Sequence, residues 1–114
     1  MPLDKVLIKH VQDKILVPLS FVRLTLDGIS TQTEQIRQQH TLNAQQELIK
    51  KGIMEILTNP GNLTGLPDYQ LKPEDREFLE QLAGDTEKTI FTNLIDVEQL
   101  SLRVLDYCIQ PYTG

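Results

Sequence analysis

The chain has 114 residues, of which 39% are hydrophobic and 24% are charged. These values are typical of one globular domain spanning residues 1–114, and they exclude a disordered chain. The net charge of −5 is uneven, because residues 1–57 carry seven Lys or Arg against six Asp or Glu, whereas residues 58–114 carry four against ten. Non-specific binding to nucleic acid needs clustered cations, so the acidic second half disfavours that function.

The cysteine content and the apolar segments limit the kinds of site and the compartment. Cys108 is the single cysteine, which excludes an intramolecular disulfide framework and a site built on several cysteines. Its apolar surroundings, VLDYCI, predict a small buried side chain. The N-terminus lacks the apolar core of a secretory signal, and the longest apolar stretch, at 15–22, is too short to span a membrane. We therefore expect a cytoplasmic protein without membrane contact.

The first predicted element is an amphipathic helix over residues 3–17. Its apolar side chains recur at every fourth position, and charged or amide side chains occupy the opposite side. Pro18 lacks a backbone N–H and disfavours helical geometry at Val17, so the helix is expected to end or kink there. Because the neighbouring residues are apolar, this break is expected to be buried.

Residues 19–57 are compatible with one long helix or with two helices. The second possibility places a break near residues 28–30, with Ser30 or Thr31 as the N-cap and with Glu34 completing a capping box. No strand pattern competes with these helices, since the only alternating stretch, FVRLTLDG, is short.

A glutamine-rich segment, STQTEQIRQQHTLNAQQ at residues 30–46, contains six glutamines. Glutamine is a good helix former without charge, so the segment is compatible with an exposed spacer helix. A narrower hypothesis is that one seam of this helix packs on the same segment of another subunit, with polar layers that set the register. The candidate interface on this hypothesis consists of Val22, Leu26, Ile29, Thr33, Ile36, His40 and Asn43.

The second half contains one long loop and two further helices. Residues 58–73 hold three prolines and two glycines and predict an ordered Pro/Gly-rich loop. A short helix is predicted over 73–83, with Gly84 as its stop, and a very apolar last helix over roughly 86–110. The expected fold class is all-α, with four to five helices in an aliphatic bundle that includes one long helix.

The sequence contains no convergent set of catalytic, cofactor-binding or metal-ligating side chains. His10 and His40 are far apart, and neither has a second ligand at helical spacing, so no zinc site is predicted. The acidic residues 74–80 lack the alternating Asp/Asn loop with glycine that calcium sites use. No phosphate-cradling glycine motif is present. We therefore expect a non-enzymatic protein without a cofactor or a metal.

A modest basic strip on the first helix suggests an alternative function as a nucleic-acid-associated regulator. The cations of this strip are Lys5, Lys9, Lys14 and Arg23. Asp4 and Asp13 lie among them, and no aromatic side chains accompany them to stack on bases.

His40-Thr41-Leu42-Asn43-Ala44 suggests a second alternative, a phosphorelay carrier at His40. The segment is similar to the phospho-accepting segment of histidine phosphotransfer domains, which are helical bundles of similar length. Asn43 takes the place of the lysine that would stabilise the phosphate in that family, and the similarity covers five residues, so we do not assign the chain to it.

The function that the sequence favours is a non-enzymatic protein-interaction module, such as a small adaptor, an assembly factor or a regulatory subunit. Three features support this expectation: the lack of convergent chemistry, the apolar surplus at 15–26 and 90–109, and a helix at 29–47 that is longer than a core of this size needs. The expected partner is another protein, and a second copy of the chain is the first candidate.

Overall fold

The computed structural model describes residues 3–28 and 31–109, and every regular element within them is helical. The elements are α1 (Lys5–Val11), a π-helical turn (Gln12–Leu16), α2 (Val17–Asp27), α3 (Gln32–Thr58), α4 (Pro60–Thr64), α5 (Pro73–Lys88) and α6 (Leu94–Ile109). The prediction of an all-α bundle with one long helix is confirmed.

The helix does not end at Pro18, which was one of the two expected outcomes there, because α1, the π-helical turn and α2 form one continuous helix. Backbone dihedrals stay right-handed helical through both junctions. Proline removes one helix hydrogen bond, and the wider π turn lies directly before it, where the N–H of Val17 donates to the carbonyl of Gln12. The chain thus passes Pro18 without leaving the helix, and Pro18 is buried as expected.

Residues 19–57 form two helices, as one of the two possibilities predicted. α2 ends at Asp27, and Thr31 is the N-cap of α3, with its Oγ1 accepting a hydrogen bond from the N–H of Glu34 at 3.1 Å. This bond satisfies one of the free N–H groups at the start of the helix.

The 58–73 loop is shorter than predicted, because α4 occupies its first part. Gly65 ends α4 with a left-handed backbone (φ 72°), a conformation that side chains other than glycine rarely adopt.

The boundaries of the last two helices also differ from the prediction. α5 continues through Gly84 to Lys88, because a helix interior tolerates glycine where nothing else ends it. α6 begins later than expected, at Leu94. Asn93 precedes it, and its Oδ1 accepts a hydrogen bond from the N–H of Ile95 at 3.0 Å.

The core is almost entirely aliphatic and lies between α1–α2, α3, α5 and α6. α2 packs between α3 and α6, and α5 packs along the other side of α3. The largest fully buried side chains are Leu3, Leu7, Val11, Ile15, Leu19, Val22, Leu42, Ile49, Ile53, Ile56, Leu79 and Leu82.

The first two turns of α3 project beyond this core. No described side chain of α3 before Leu42 is buried, whereas Ile49, Ile53 and Ile56 are fully buried. The molecule is accordingly elongated, 49 × 31 × 20 Å, with a radius of gyration of 14.9 Å, against about 13 Å for a compact chain of this length. The described side chains at residues 33–40 of the glutamine-rich segment therefore belong to an exposed extension of a packed helix, whereas Leu42 of the same segment lies in the core.

Gln46, at the end of that segment, has a tertiary role. Its Nε2 donates to the carbonyl of Thr86 at 2.8 Å and to the carbonyl of Thr89 at 3.3 Å. Carbonyls at a helix C-terminus lack intrahelical partners, so Gln46 satisfies the end of α5 from α3. An ion pair between Lys50 and Glu87 adds a second link between the two helices.

α3 approaches the π-helical turn closely at Gly52. A Cβ at this position would lie 2.9 Å from Cβ of Lys14 and 3.2 Å from its carbonyl oxygen. Beside this contact, Lys14 Nζ bonds the carboxylate of Glu55 at 2.8 Å. Glycine is therefore required by the short distance between the two helices.

Candidate interaction surfaces

The seven residues of the predicted interface do not form one surface. Val22 and Leu26 are 0% and 8% exposed and belong to the protein's own core, so they are removed from the interface. Ile29 lies outside the described residues. The other four, Thr33, Ile36, His40 and Asn43, are exposed on the side of α3 that faces away from the core. Ile36 is the one large apolar side chain among these four, so this seam offers little hydrophobic area.

A stronger apolar surface lies on the exposed side of α2. Val17, Phe21 and Leu24 are 60%, 47% and 65% exposed. Their spacing of four and three residues places them on one face of the helix, opposite the buried Leu19 and Val22. We call these three residues the α2 stripe.

Sequence reasoning missed the α2 stripe because α2 is apolar on most of its circumference. The sequence VPLSFVRLTLD offers two apolar faces, and the interface was assigned to the face that turned out to be buried. The signal available in the sequence was the number of apolar side chains in α2. A helix that is apolar on most of its circumference exposes some apolar side chains when only one of its faces packs on the core.

A second exposed apolar surface lies on α6. Ile95, Leu102 and Leu105 are 65%, 57% and 42% exposed, with heptad-like spacings of seven and three residues. We call these three residues the α6 stripe. Glu98 and Asp106 are exposed beside them. The opposite side of α6 packs into the core through Val97, Leu100, Val104 and Cys108.

An open groove runs between α5 and α6 next to this stripe. One part, of about 420 Å³, is lined by Phe78, Gln99, Leu102, Arg103, Asp106 and Tyr107. Gln99 and Arg103 also line an adjoining part of about 380 Å³ that reaches Asp85, Lys88 and Asp96. Arg103 is held in the groove wall by an ion pair with Asp85, and its guanidinium lies over the ring of Phe78, 5.8 Å from the centroid.

A buried carboxylate joins the beginning of the chain to α5 and α6. Asp75 is 0% exposed, and its Oδ1 accepts a 2.7 Å hydrogen bond from the hydroxyl of Tyr107, while its Oδ2 accepts a 3.3 Å bond from the N–H of Asp4. The ring of Tyr107 stacks on Phe78 with centroids 3.8 Å apart. Asp75 also lies in the first turn of α5, where the helix dipole favours a negative charge.

The tyrosines and the cysteine near this cluster remain protonated at neutral pH. Burial, together with the carboxylate of Asp75, raises the pKa of Tyr107. Burial and the nearby Asp4 carboxylate raise the pKa of Tyr69, whose buried hydroxyl has no hydrogen-bond partner within the described ranges. Burial raises the pKa of Cys108 to about 11. The prediction that Cys108 is buried is confirmed, and none of these groups is poised as a base or a nucleophile.

A cleft lies beside the π-helical turn, a kind of turn that often occurs at functional sites. It measures about 370 Å³ and is lined by His10, Asp13, Lys14, Pro18, Leu48, Lys51, Gly52 and Glu55. Lys14 forms an ion pair with Glu55, which compensates its positive charge. The predicted basic strip therefore carries less net positive charge at its centre.

Residues 3–28 and 31–109 contain neither a metal-binding cluster nor a membrane-spanning helix. No group of three or more His, Cys, Asp or Glu side chains there is arranged to hold a metal ion. None of the described helices combines the length and the apolar character that crossing a membrane requires.

Three comparisons with known proteins, against family models, curated proteins and solved structures, found no match.

Proposed function

We propose that this protein is a non-enzymatic protein-interaction module, of the kind that serves as a small adaptor, assembly factor or regulatory subunit, and that it associates with a second copy of itself through the α2 stripe. The observation that carries the proposal is the exposure of Val17, Phe21 and Leu24 side by side on one helix face. Isolated exposed apolar side chains are common on protein surfaces, but contiguous ones mark interaction sites.

The energetic argument concerns the burial of these three side chains. Removing such a side chain from water contributes about 1.5–3 kcal/mol when it is buried completely. Because each of the three is about half exposed, a partner that covers the stripe gains a large part of that energy. Phe21 lies between the other two, where an aromatic side chain contributes most to an interface.

The arrangement of the α2 stripe favours a second copy as the partner. Val17 and Leu24 lie at nearly equal distances in sequence on either side of Phe21. In an antiparallel pair of α2 helices, the two Phe21 side chains would meet at the twofold axis and Val17 would pack on Leu24 of the other copy. The stripe contains no charge, so identical stripes face each other without repulsion.

The titratable groups support a role without catalysis. Tyr69, Tyr107 and Cys108 all have raised pKa values and remain neutral near pH 7. Asp75 is occupied by its two hydrogen-bond donors. The hydrogen bonds to Asp75 therefore stabilise the packing of Asp4, α5 and α6 on one another.

Phe21→Asp is expected to convert a dimer into a monomer, because it places a charge at the centre of the interface, where it would be buried without a partner. The measurement is the molar mass by light scattering after size-exclusion chromatography, at several loading concentrations. Far-UV circular dichroism and thermal unfolding report whether the variant remains folded.

Ile36→Asp is the matched control, because Ile36 is also a large exposed apolar side chain, 68% exposed against 47% for Phe21, but lies on the α3 seam. We expect it to remain a dimer. Dissociation by Ile36→Asp but not by Phe21→Asp would place the interface on α3, as predicted from the sequence. A wild-type protein that remains monomeric at every concentration would overturn the proposal of self-association.

A further inference from the structure

We infer that the α6 stripe binds an amphipathic helix with a basic polar face, contributed by a different protein. This inference rests on the proposed interaction role, but it concerns a separate surface from the α2 stripe and a different partner.

The apolar geometry of the surface fits a helix. Ile95, Leu102 and Leu105 follow the spacing by which one helix presents side chains to another. The groove between α5 and α6 runs beside them, and Phe78 and Leu102 supply apolar surface to its wall. A helix laid along the stripe would insert its own apolar side chains into this groove, which is the usual mode of helix-in-groove recognition.

The charges around the stripe select a basic partner. Glu98 lies between the apolar residues and Asp106 lies beside them, both exposed. Arg103 is the single cation in the sequence of α6, and its charge is already paired with Asp85. Lys88 is the other cation that lines the groove, and Asp96 adds a further carboxylate, since the charge of Asp85 is compensated by Arg103. The surface thus carries an excess of negative charge, and Lys or Arg flanking the partner's apolar face would complement it.

The same charges argue against a second copy on this surface. A symmetric pair of α6 helices, parallel or antiparallel, would bring Glu98 and Asp106 close to the same two carboxylates of the other copy. Like charges facing each other destabilise an interface, and covering them would add the cost of removing them from water. The α2 stripe carries no such penalty, which is why the two surfaces are assigned different partners.

The test uses two synthetic helical peptides of about 18 residues, roughly five turns. Both have Leu at the a and d positions of a heptad, and they carry either Lys or Glu at the flanking e and g positions. Binding is titrated by two-dimensional ¹H–¹⁵N NMR and by isothermal titration calorimetry. We expect the Lys peptide to bind with shifts centred on α6, and the Glu peptide to bind at least about tenfold more weakly.

Variants of the protein locate the binding surface. Leu102→Asp is expected to weaken binding of the Lys peptide by about tenfold or more. Ile36→Asp, a matched change at an exposed residue outside both stripes, should leave that affinity unchanged. Glu98→Lys combined with Asp106→Lys should reverse the preference toward the Glu peptide. Repeating the titration with Phe21→Asp separates binding at α6 from self-association, so either proposal is able to fail alone.

The inference is overturned by no binding of the Lys peptide, by equal binding of both peptides, or by an affinity that Leu102→Asp leaves unchanged. It also fails if Ile36→Asp weakens binding as much as Leu102→Asp, because the effect is then not specific to the α6 stripe.

Discussion

Gly52→Ala is expected to lower the free energy of unfolding by about 1–2 kcal/mol. The added methyl group overpacks a close contact between two helices, and this destabilises the protein by more than the higher helix propensity of alanine stabilises it. The added Cβ would lie 2.9 Å from Cβ of Lys14 and 3.2 Å from its carbonyl oxygen. Neither atom belongs to the flexible end of a side chain, so α3 and the π-helical turn would have to move apart. That movement would also lengthen the bond between Lys14 and Glu55. Urea denaturation followed by circular dichroism measures the change.

Gly84→Ala is the matched control for this experiment. Gly84 lies inside α5, and an added Cβ there meets no other atom within 4 Å. The substitution should therefore raise the free energy of unfolding by about 0.5–1 kcal/mol, the difference in helix propensity. If Gly52→Ala proves as stabilising as Gly84→Ala, the close approach at Gly52 does not restrain the two helices.

Tyr107→Phe is expected to lower the free energy of unfolding by about 2 kcal/mol, because hydrogen bonds to charged groups contribute about 1.5–3 kcal/mol. The change keeps the ring that stacks on Phe78 and removes only the hydroxyl that donates to the buried Asp75. Chemical denaturation near neutral pH measures the loss. Tyr69→Phe is the control, since the Tyr69 hydroxyl lies near the Asp4 carboxylate but has no hydrogen-bond partner of good geometry in the described part of the chain, so its removal should cost less. An equal loss in both variants would contradict a specific role for the bond to Asp75.

The stability of the protein is expected to decrease in alkaline solution, and Tyr107→Phe should make this decrease shallower. The folded state raises the pKa of Tyr69 and Tyr107, mainly through burial. Tyrosine in the unfolded chain titrates near pH 10, so above that pH the unfolded state binds fewer protons than the folded state. The contribution of each tyrosine is therefore complete below about pH 10 and is lost as the pH rises further. Urea midpoints at about pH 7 and about pH 10.5 test this. An identical decrease in wild type and Tyr107→Phe would exclude Tyr107 as a source.

The helices were predictable where their signals are local. The four-residue apolar spacing before Pro18 and the cap at Thr31 act within one or two turns of the chain. The sequence therefore shows the first helix and offers Thr31 as one of two candidate caps, but it leaves open whether residues 19–57 form one helix or two. The exposed glutamine-rich part of α3 was predictable for the same reason, because it has too few apolar side chains to be buried on any side. Cys108 was assigned correctly to the core from its apolar neighbours.

Two of the errors lie beside contacts between residues that are far apart in sequence. α5 continues past Gly84, and Gln46 of α3, forty residues away from Thr86 in sequence, satisfies its final carbonyls. The helix continues through Pro18 with a π-helical turn directly before the proline, and α3 packs closely on this turn at Gly52. Neither contact is visible in the local sequence.

The candidate surfaces were also only partly predictable from the sequence. By itself, the sequence determined that the chain forms an aliphatic helical bundle, that it lacks clustered catalytic residues, and that 15–26 and 90–109 hold more apolar side chains than one core uses. Only the tertiary structure decided that Val22 and Leu26 are inside while Val17, Phe21 and Leu24 are outside, and that α6 exposes Leu102 beside Glu98. The physical reason is that a helix apolar on both sides has no preferred buried face of its own. The neighbours of α2 and α6 in the bundle select that face.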